Sequence, residues 1–335
     1  MQSEYLFAQF EWFIGQKWNI LLGFRYDHHH QYQSQLSPKL GLTYEVQPHL
    51  FLKASLGYGY KAPDLRQLYL DFTNSAVGYS VFGYNVAPAR MDALEAQGQL
   101  LFRNALDFSA PLRPESSLNL NLGGSMEKNR LSLDVNFFYN QIQNLIDTRA
   151  VAQRTNGQNV FSYFNLNRIL TYGLEVNAQY RASKHWTFSA GYQFLEAQDR
   201  DVLSRLEEGQ VFARDPNTLS SFRLQRQDYF GLFNRSRQLA NFKINFEVPK
   251  WKTNLAIRLF YRSRYGLFDS NQNQILDEYD EFVKGYCLLN MTLSQEFKYG
   301  FSAQIGLNNL LDFTDPVNIS NIPGRQWLLK VAYSF

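Results

Sequence analysis

Residues 326–335 read Gln-Trp-Leu-Leu-Lys-Val-Ala-Tyr-Ser-Phe, with apolar side chains at Trp327, Leu329, Val331, Tyr333 and Phe335. Gln326, Lys330, Ala332 and Ser334 between them are polar or small. A repeat of two is the signature of a strand with one apolar face, whereas a helix repeats about every 3.6 residues.

The same alternation runs upstream. Phe301, Ala303, Ile305 and Leu307 oppose Ser302, Gln304, Gly306 and Asn308, and Leu255, Ile257, Leu259 and Tyr261 oppose Asn254, Arg258 and Arg262. Leu131, Leu133, Val135, Phe137 and Tyr139 alternate with Ser132, Asp134, Asn136 and Asn140, and Trp18, Ile20, Leu22, Phe24 and Tyr26 with Asn19 and Arg25. In all, 13 runs are predicted as strands: 4–13, 17–27, 36–47, 50–60, 116–125, 129–146, 160–182, 185–199, 237–248, 252–265, 284–297, 300–312 and 325–335. Many approach the roughly 9–11 residues with which a tilted strand crosses a bilayer. Their connections alternate between tight turns, such as Gly15-Gln16 and Lys298-Tyr299, and the long segments 28–35, 61–115, 147–159, 200–236, 266–283 and 313–324.

Composition narrows the class. The chain has 335 residues, of which 16% are aromatic, yet it contains no uninterrupted apolar stretch of about 18 residues, so helical membrane spans are excluded. Its 33 basic and 30 acidic side chains are scattered, which leaves no basic stripe for nucleic acid. A single cysteine, Cys287, rules out an intrachain disulfide and a cysteine-based zinc site. A soluble sheet with one wet face would share the alternation. Thirteen long up-and-down strands, however, make a very large open sheet unless they close around water. The reading is therefore all-β: an antiparallel up-and-down transmembrane β-barrel with turns on one rim and loops on the other.

Parity adds an expectation. Single-chain bacterial barrels have even strand numbers with both ends on the inner side. Thirteen strands ending at Phe335 on the tight-turn rim would start Met1 on the other rim, so at least one strand is expected to precede it. The opening Met-Gln-Ser-Glu-Tyr-Leu-Phe-Ala-Gln-Phe also lacks the basic and apolar regions of a secretory signal.

Several motifs then carry a family resemblance. Gly59-Tyr60-Lys61-Ala62-Pro63-Asp64-Leu65-Arg66-Gln67-Leu68-Tyr69, Arg113-Pro114-Glu115-Ser116-Ser117 and Thr171-Tyr172-Gly173-Leu174-Glu175 follow one another in order. Asn308-Asn309-Leu310-Leu311-Asp312, Pro323-Gly324-Arg325 and the terminal Phe335 close the series. From end to end the chain resembles the carboxyl-terminal part of a TonB-dependent outer-membrane receptor. Such barrels have 22 strands and a plugged lumen. The resemblance therefore implies that these are the last 13 strands, with nine strands, the plug and a signal peptide lying before Met1. It implies active import of a scarce nutrient, most often a ferric siderophore, with cobalamin or a glycan as the other substrate classes. The implied partners are outer-membrane lipid and lipopolysaccharide, the barrel-assembly machinery, a small metal chelate, and the TonB energy-coupling complex through the plug. A passive porin and a nonfunctional remnant remain as rival readings.

Candidate residues follow. Trp327, Leu329, Val331, Tyr333 and Phe335 resemble the carboxyl-terminal assembly signal of outer-membrane barrels. Segment 61–115 is rich in aromatics, and within it Tyr79, Phe82 and Tyr84 with Arg90 and Arg103 suit stacking and charge-assisted bonding to a planar anionic chelate. The same aromatics would equally pack the segment against its neighbours. In the segment beginning at Asp269, the side chains of Asp269, Asn271, Asn273, Asp277 and Asp280 imitate the spacing of a calcium loop. Gln274 stands where that loop has glycine, and Asp280 where it has glutamate, so an acidic turn is the competing reading. No cofactor is otherwise required. His28, His29 and His30 form a triplet that reads as a solvated segment or as a transition-metal site. Segment 61–115 contains no histidine to ligate haem. No nucleophile elbow or phosphate-cradling loop is present, so an enzyme is not expected.

Overall fold

The computed structural model describes residues 2–74, 78–104, 106–215, 218–270, 273, 275–319 and 321–334, without the side chains of Gln33 and Asn167. Thirteen strands form one continuous antiparallel wall in chain order. They are β1 (Ser3–Ile14), β2 (Trp18–His29), β3 (Tyr32–Gln47), β4 (Leu50–Lys61), β5 (Glu115–Lys128), β6 (Leu131–Arg154) and β7 (Asn159–Arg181). The wall continues through β8 (Trp186–Asp199), β9 (Gln238–Val248), β10 (Thr253–Arg262), β11 (Tyr286–Glu296), β12 (Phe301–Asn308) and β13 (Gln326–Tyr333). Each of the 13 predicted runs corresponds to one wall strand. Among the described residues β1 and β13 do not pair with each other.

Register turns alternation into two chemically distinct faces. Phe10, Leu22, Leu40, Leu56, Leu120, Tyr139 and Tyr172 each stand directly opposite the next across six strand pairs. Trp186, Phe246, Leu255, Leu293, Ile305 and Leu329 do the same across five more. The opposite face carries Lys39, Gly57, Asn119, Asn140 and Thr171 in one such row. Its side chains bond to each other: Asn140 Nδ2 donates to Thr171 Oγ1 at 3.1 Å and Gln193 Nε2 to Glu175 Oε1 at 2.8 Å. Because a one-residue slip would exchange the faces, this pattern fixes the register throughout.

Gly173 marks a close approach on the polar face. It lies opposite Phe138 on β6 and Leu195 on β8. A Cβ there would collide with the Phe194 carbonyl and stand 2.7 Å from Phe138 Cζ. Only a hydrogen fits where the ring and the neighbouring backbone converge.

A single-layer wall has no conventional core, and its apolar face is bare. Trp12 is 64% exposed and Leu329 72% exposed. Apolar surface on that scale needs lipid or a partner to cover it. Burial concentrates instead at the rim with the long connections, in three clusters. The first joins segment 61–115 to the upper part of β6 and β7, through Leu68, Met91, Val151 and Val160 among others. There the structure differs from the sequence expectation. Segment 147–159 is not a loop, because β6 and β7 run on as a projecting hairpin. The reason is edge pairing: residues 100–103 pair with β6 at Ala152–Arg154 and residues 79–82 run parallel to β7 at Asn159–Ser162, so the tip of the hairpin has a partner strand on each edge. Two helices, α1 (Leu65–Tyr69) and α2 (Ala87–Ala96), complete this cap, and α3 (Arg200–Glu207) follows β8.

Turns on the other rim are tight. Gly15 and Asn129 take the left-handed conformation there, at φ 60° and 54°. The chain end returns to this rim, where the Ser334 N–H bonds to the Gly300 carbonyl at 2.9 Å.

Candidate functional site

The loop rim encloses a cavity of about 340 Å³ between the β6–β7 hairpin, the end of β8 and three long connections. That volume falls within the range of small-ligand sites.

Its walls are assembled from segments far apart in sequence. Asp199 ends β8 and caps α3, its Oδ1 accepting the Asp201 N–H at 2.8 Å. Val202 and Leu206 of α3 then bury against Leu224, Tyr229 and Ile275. The Leu232 N–H bonds to the Ala197 carbonyl and the Phe230 N–H to the Leu276 carbonyl, both at 2.9 Å. The Asn234 N–H reaches the Gly266 carbonyl at 2.8 Å. These bonds stitch segment 229–236 to the end of β8 on one side and to Gly266 and Leu276 on the other.

The lining is aromatic and charged together. Phe102, Phe161, Phe233 and Phe268 supply ring surface, with Tyr229 deeper in the wall. Arg149 and Arg235 bring positive charge, and Asp147, Asp199 and Asp269 bring negative charge. Arg149 lies within the fields of both Asp199 and Asp147. Burial raises the Tyr229 phenol well above its ordinary value, so it stays neutral.

None of the residues expected to contact substrate lines this cavity. Phe82 and Tyr84 are 4% and 5% exposed in the core of the cap, where the Tyr84 ring meets Phe164 edge-on at 5.6 Å. Tyr79 packs its ring 6.1 Å from Phe72. Arg90 Nε donates to Asp71 Oδ2 at 2.7 Å, and Arg103 bonds to Asp92 at 2.6 Å and Glu95 at 3.0 Å. These carboxylates raise both guanidinium pKa values. Segment 61–115 uses these side chains to hold itself together; its Phe102, Asn104 and Leu106 are what reach the cavity.

The calcium-like spacing folds into a self-bonded turn. Asp280 accepts the Ser270 N–H at 2.8 Å and the Asp277 N–H at 2.9 Å. Asp277 accepts from the Tyr279 N–H and from Asn273 Nδ2, each at 2.9 Å, and Asn273 Oδ1 accepts the Ile275 N–H at 2.8 Å. Asp269 faces the cavity, and Asn271 lies outside the described residues. Burial, reinforced by the charges of Asp277 and Asp269, lifts the Asp280 carboxyl to about 6 against the pull of its two N–H donors. Among the described residues no three His, Cys, Asp or Glu side chains gather to hold a metal, the histidine triplet included. His28 Nδ1 lies 2.9 Å from Ser34 Oγ, and His29 packs against Tyr32. Trp327, Leu329, Val331 and Tyr333 all lie on the bare apolar face; Phe335 is outside the described residues.

Arg149, Asp199, Tyr229 and Phe233 carry no sequence signal as a group. They come from separate elements, and only the strand register and the stitched segments bring them together.

Comparison with known proteins completes the picture. The family described as TonB dependent receptor-like, beta-barrel, matches residues 2–310. A probable TonB-dependent siderophore receptor, PirA of Acinetobacter baumannii, is 23% identical over 95% of this chain and 41% of its own length. The siderophore receptor PirA of Pseudomonas aeruginosa superposes with a TM-score of 0.62 at 14% identity, covering 99% of this chain and 48% of that one. The ferric enterobactin receptor mutant Q482A of Pseudomonas aeruginosa, in complex with enterobactin, gives 0.64 at 16% identity, covering 99% and 45%. The chain therefore spans under half the length of these relatives. Its two-faced wall, its bare apolar belt and its loop-rim burial are those of an outer-membrane barrel: the chain belongs to the TonB-dependent receptor-like β-barrel family.

Proposed function

We propose that this chain is the barrel portion of a receptor that binds a ferric siderophore outside the cell and imports it with energy delivered through TonB. The observation that carries the reading is the loop-rim cavity, whose phenylalanines and arginines offer stacking surface and hydrogen-bond donors to a compact chelate. Kinship with receptors named for siderophores supports it. The polar face of the wall supplies a wet path below the cavity, with Lys53 and Asp134 spaced 3.8 Å apart along it.

The test is accumulation of radioiron, supplied as ferric siderophore, by cells in which this receptor is the only route. Uptake that stops when TonB is deleted, and weakens in a Phe233→Ala, Phe268→Ala variant, is the expected result. Uptake indifferent to TonB would identify a passive pore instead. No uptake of any siderophore would remove the reading.

A further inference from the structure

The loop rim carries an unusual balance of charge. Segments 61–115, 147–159, 200–236, 266–283 and 313–324 together hold 18 Asp and Glu against 13 Lys and Arg, although the chain as a whole has 33 basic and 30 acidic residues. The rim is thus net acidic on a net basic chain. The sharpest contribution is segment 266–283, with five carboxylates and no cationic side chain, which forms one wall of the cavity.

Local geometry reinforces the count. Five arginines at or beside the rim, none of them lining the cavity, are held by carboxylates: Arg90 by Asp71, Arg103 by Asp92 and Glu95, Arg168 by Asp201, Arg226 by Glu207 and Arg237 by Glu196. Inside the cavity three aspartates accompany two arginines, and Arg149 feels the attraction of Asp199 and Asp147 against the repulsion of Arg205. A strongly anionic ligand would approach through a repulsive field and then meet a cavity in which carboxylates outnumber guanidiniums. An uncharged or cationic ligand meets neither obstacle and keeps the aromatic contacts.

Resting on the siderophore reading above, we infer that the cavity selects ferric chelates of zero or positive charge, of the trihydroxamate type, and discriminates against tris-catecholates. The distinction follows from elementary chemistry. Each hydroxamate brings one negative charge to iron(III), so three leave the complex neutral; each catecholate brings two, leaving the complex triply anionic.

Equilibrium binding of radioiron-labelled ferrichrome, a neutral trihydroxamate complex, and of ferric enterobactin, a tris-catecholate complex, to outer-membrane vesicles bearing the full chain tests this. Ferrichrome is expected to bind at least about tenfold more tightly at low salt, and the ratio should shrink as added salt screens the rim. An Asp147→Asn, Asp269→Asn variant should narrow the ratio by strengthening the catecholate. Equal or tighter binding of ferric enterobactin by the unaltered chain would overturn the inference while leaving the siderophore reading standing. Binding of neither chelate would overturn both. The salt series on the unaltered chain decides the matter even where the variant does not assemble: a ratio that is insensitive to salt refutes the electrostatic origin.

Discussion

The Tyr229 hydroxyl accepts the backbone N–H of Asp199 at 3.0 Å, tying the long connection after α3 to the last residue of β8. Both residues line the cavity, so this bond sets the width of one wall. Tyr229 is 6% exposed, and its phenol stays neutral, so the bond should persist across the physiological pH range. Tyr229→Phe removes the acceptor and leaves a buried N–H unsatisfied, a loss of about 1–2 kcal/mol. Hydrogen exchange at the Asp199 amide should speed up by about tenfold or more. Unchanged exchange would show that water replaces the phenol.

Asp280 gives the neighbouring connection a pH dependence whose sign is fixed. Its carboxyl titrates near 6 in the folded loop, above its ordinary value near 4 in an unfolded chain. The folded loop therefore holds this proton more tightly, and its stability falls as pH rises from about 4 to about 6, then levels off. Exchange at the Ser270 and Asp277 amides, corrected for intrinsic rate, should report more frequent opening at pH 7 than at pH 5. Asp280→Asn keeps an acceptor oxygen without the charge and should flatten the profile.

The same network bears on calcium. The oxygens of Asp277, Asp280 and Asn273 accept N–H groups of their own turn, so a cation would have to compete with those donors for the same oxygens. Millimolar calcium is accordingly expected to produce no binding heat and no added protection in residues 269–280. A saturable heat would mean that the carboxylates turn outward to the ion.

The strands were legible because the wall is one layer thick. Each side chain faces either lipid or water, so alternation such as Trp327, Leu329, Val331 and Tyr333 is written directly into the sequence. The rim was not legible for the opposite reason. Phe82 and Tyr84 show the aromatic character of a ligand site, and only the pairing of residues 79–82 with β7 reveals that they fill a core. The spacing of Asp277 and Asp280 likewise fits metal ligation and turn closure equally well, and only the folded loop shows the backbone donors that these carboxylates accept. The extension of β6 and β7 depends on partner strands contributed by segment 61–115, a long-range pairing with no local signature.

Gly173 should be intolerant of any side chain. A methyl group at this position meets the Phe194 carbonyl and the Phe138 ring together, and backbone in mid-wall has little room to retreat. Gly173→Ala is expected to destabilise the barrel by about 1–3 kcal/mol through overpacking, read as a lower unfolding midpoint in urea. A Phe138→Ala change in the same background should recover part of the loss by vacating the ring. Failure of that rescue would assign the strain to the β8 backbone alone.

Adjacent residues on β4 offer a test of the two faces themselves. Leu56 stands on the apolar face between Leu40 and Leu120, while Ser55 faces the other way and accepts a hydrogen bond from Asn121 Nδ2 at 3.3 Å. Arginine at a lipid-facing midplane position of a barrel costs about 2–4 kcal/mol, whereas lumen positions are governed by water and polar neighbours. Leu56→Arg should therefore lower the folded fraction in vesicles sharply, and Ser55→Arg, one residue away, should change it by less than about 1 kcal/mol. Equal penalties would mean that both faces are dry, and the wet path invoked for transport would lose its physical basis. A reversed order would mean that the register is displaced by one residue, since a single slip exchanges every side chain between lipid and lumen.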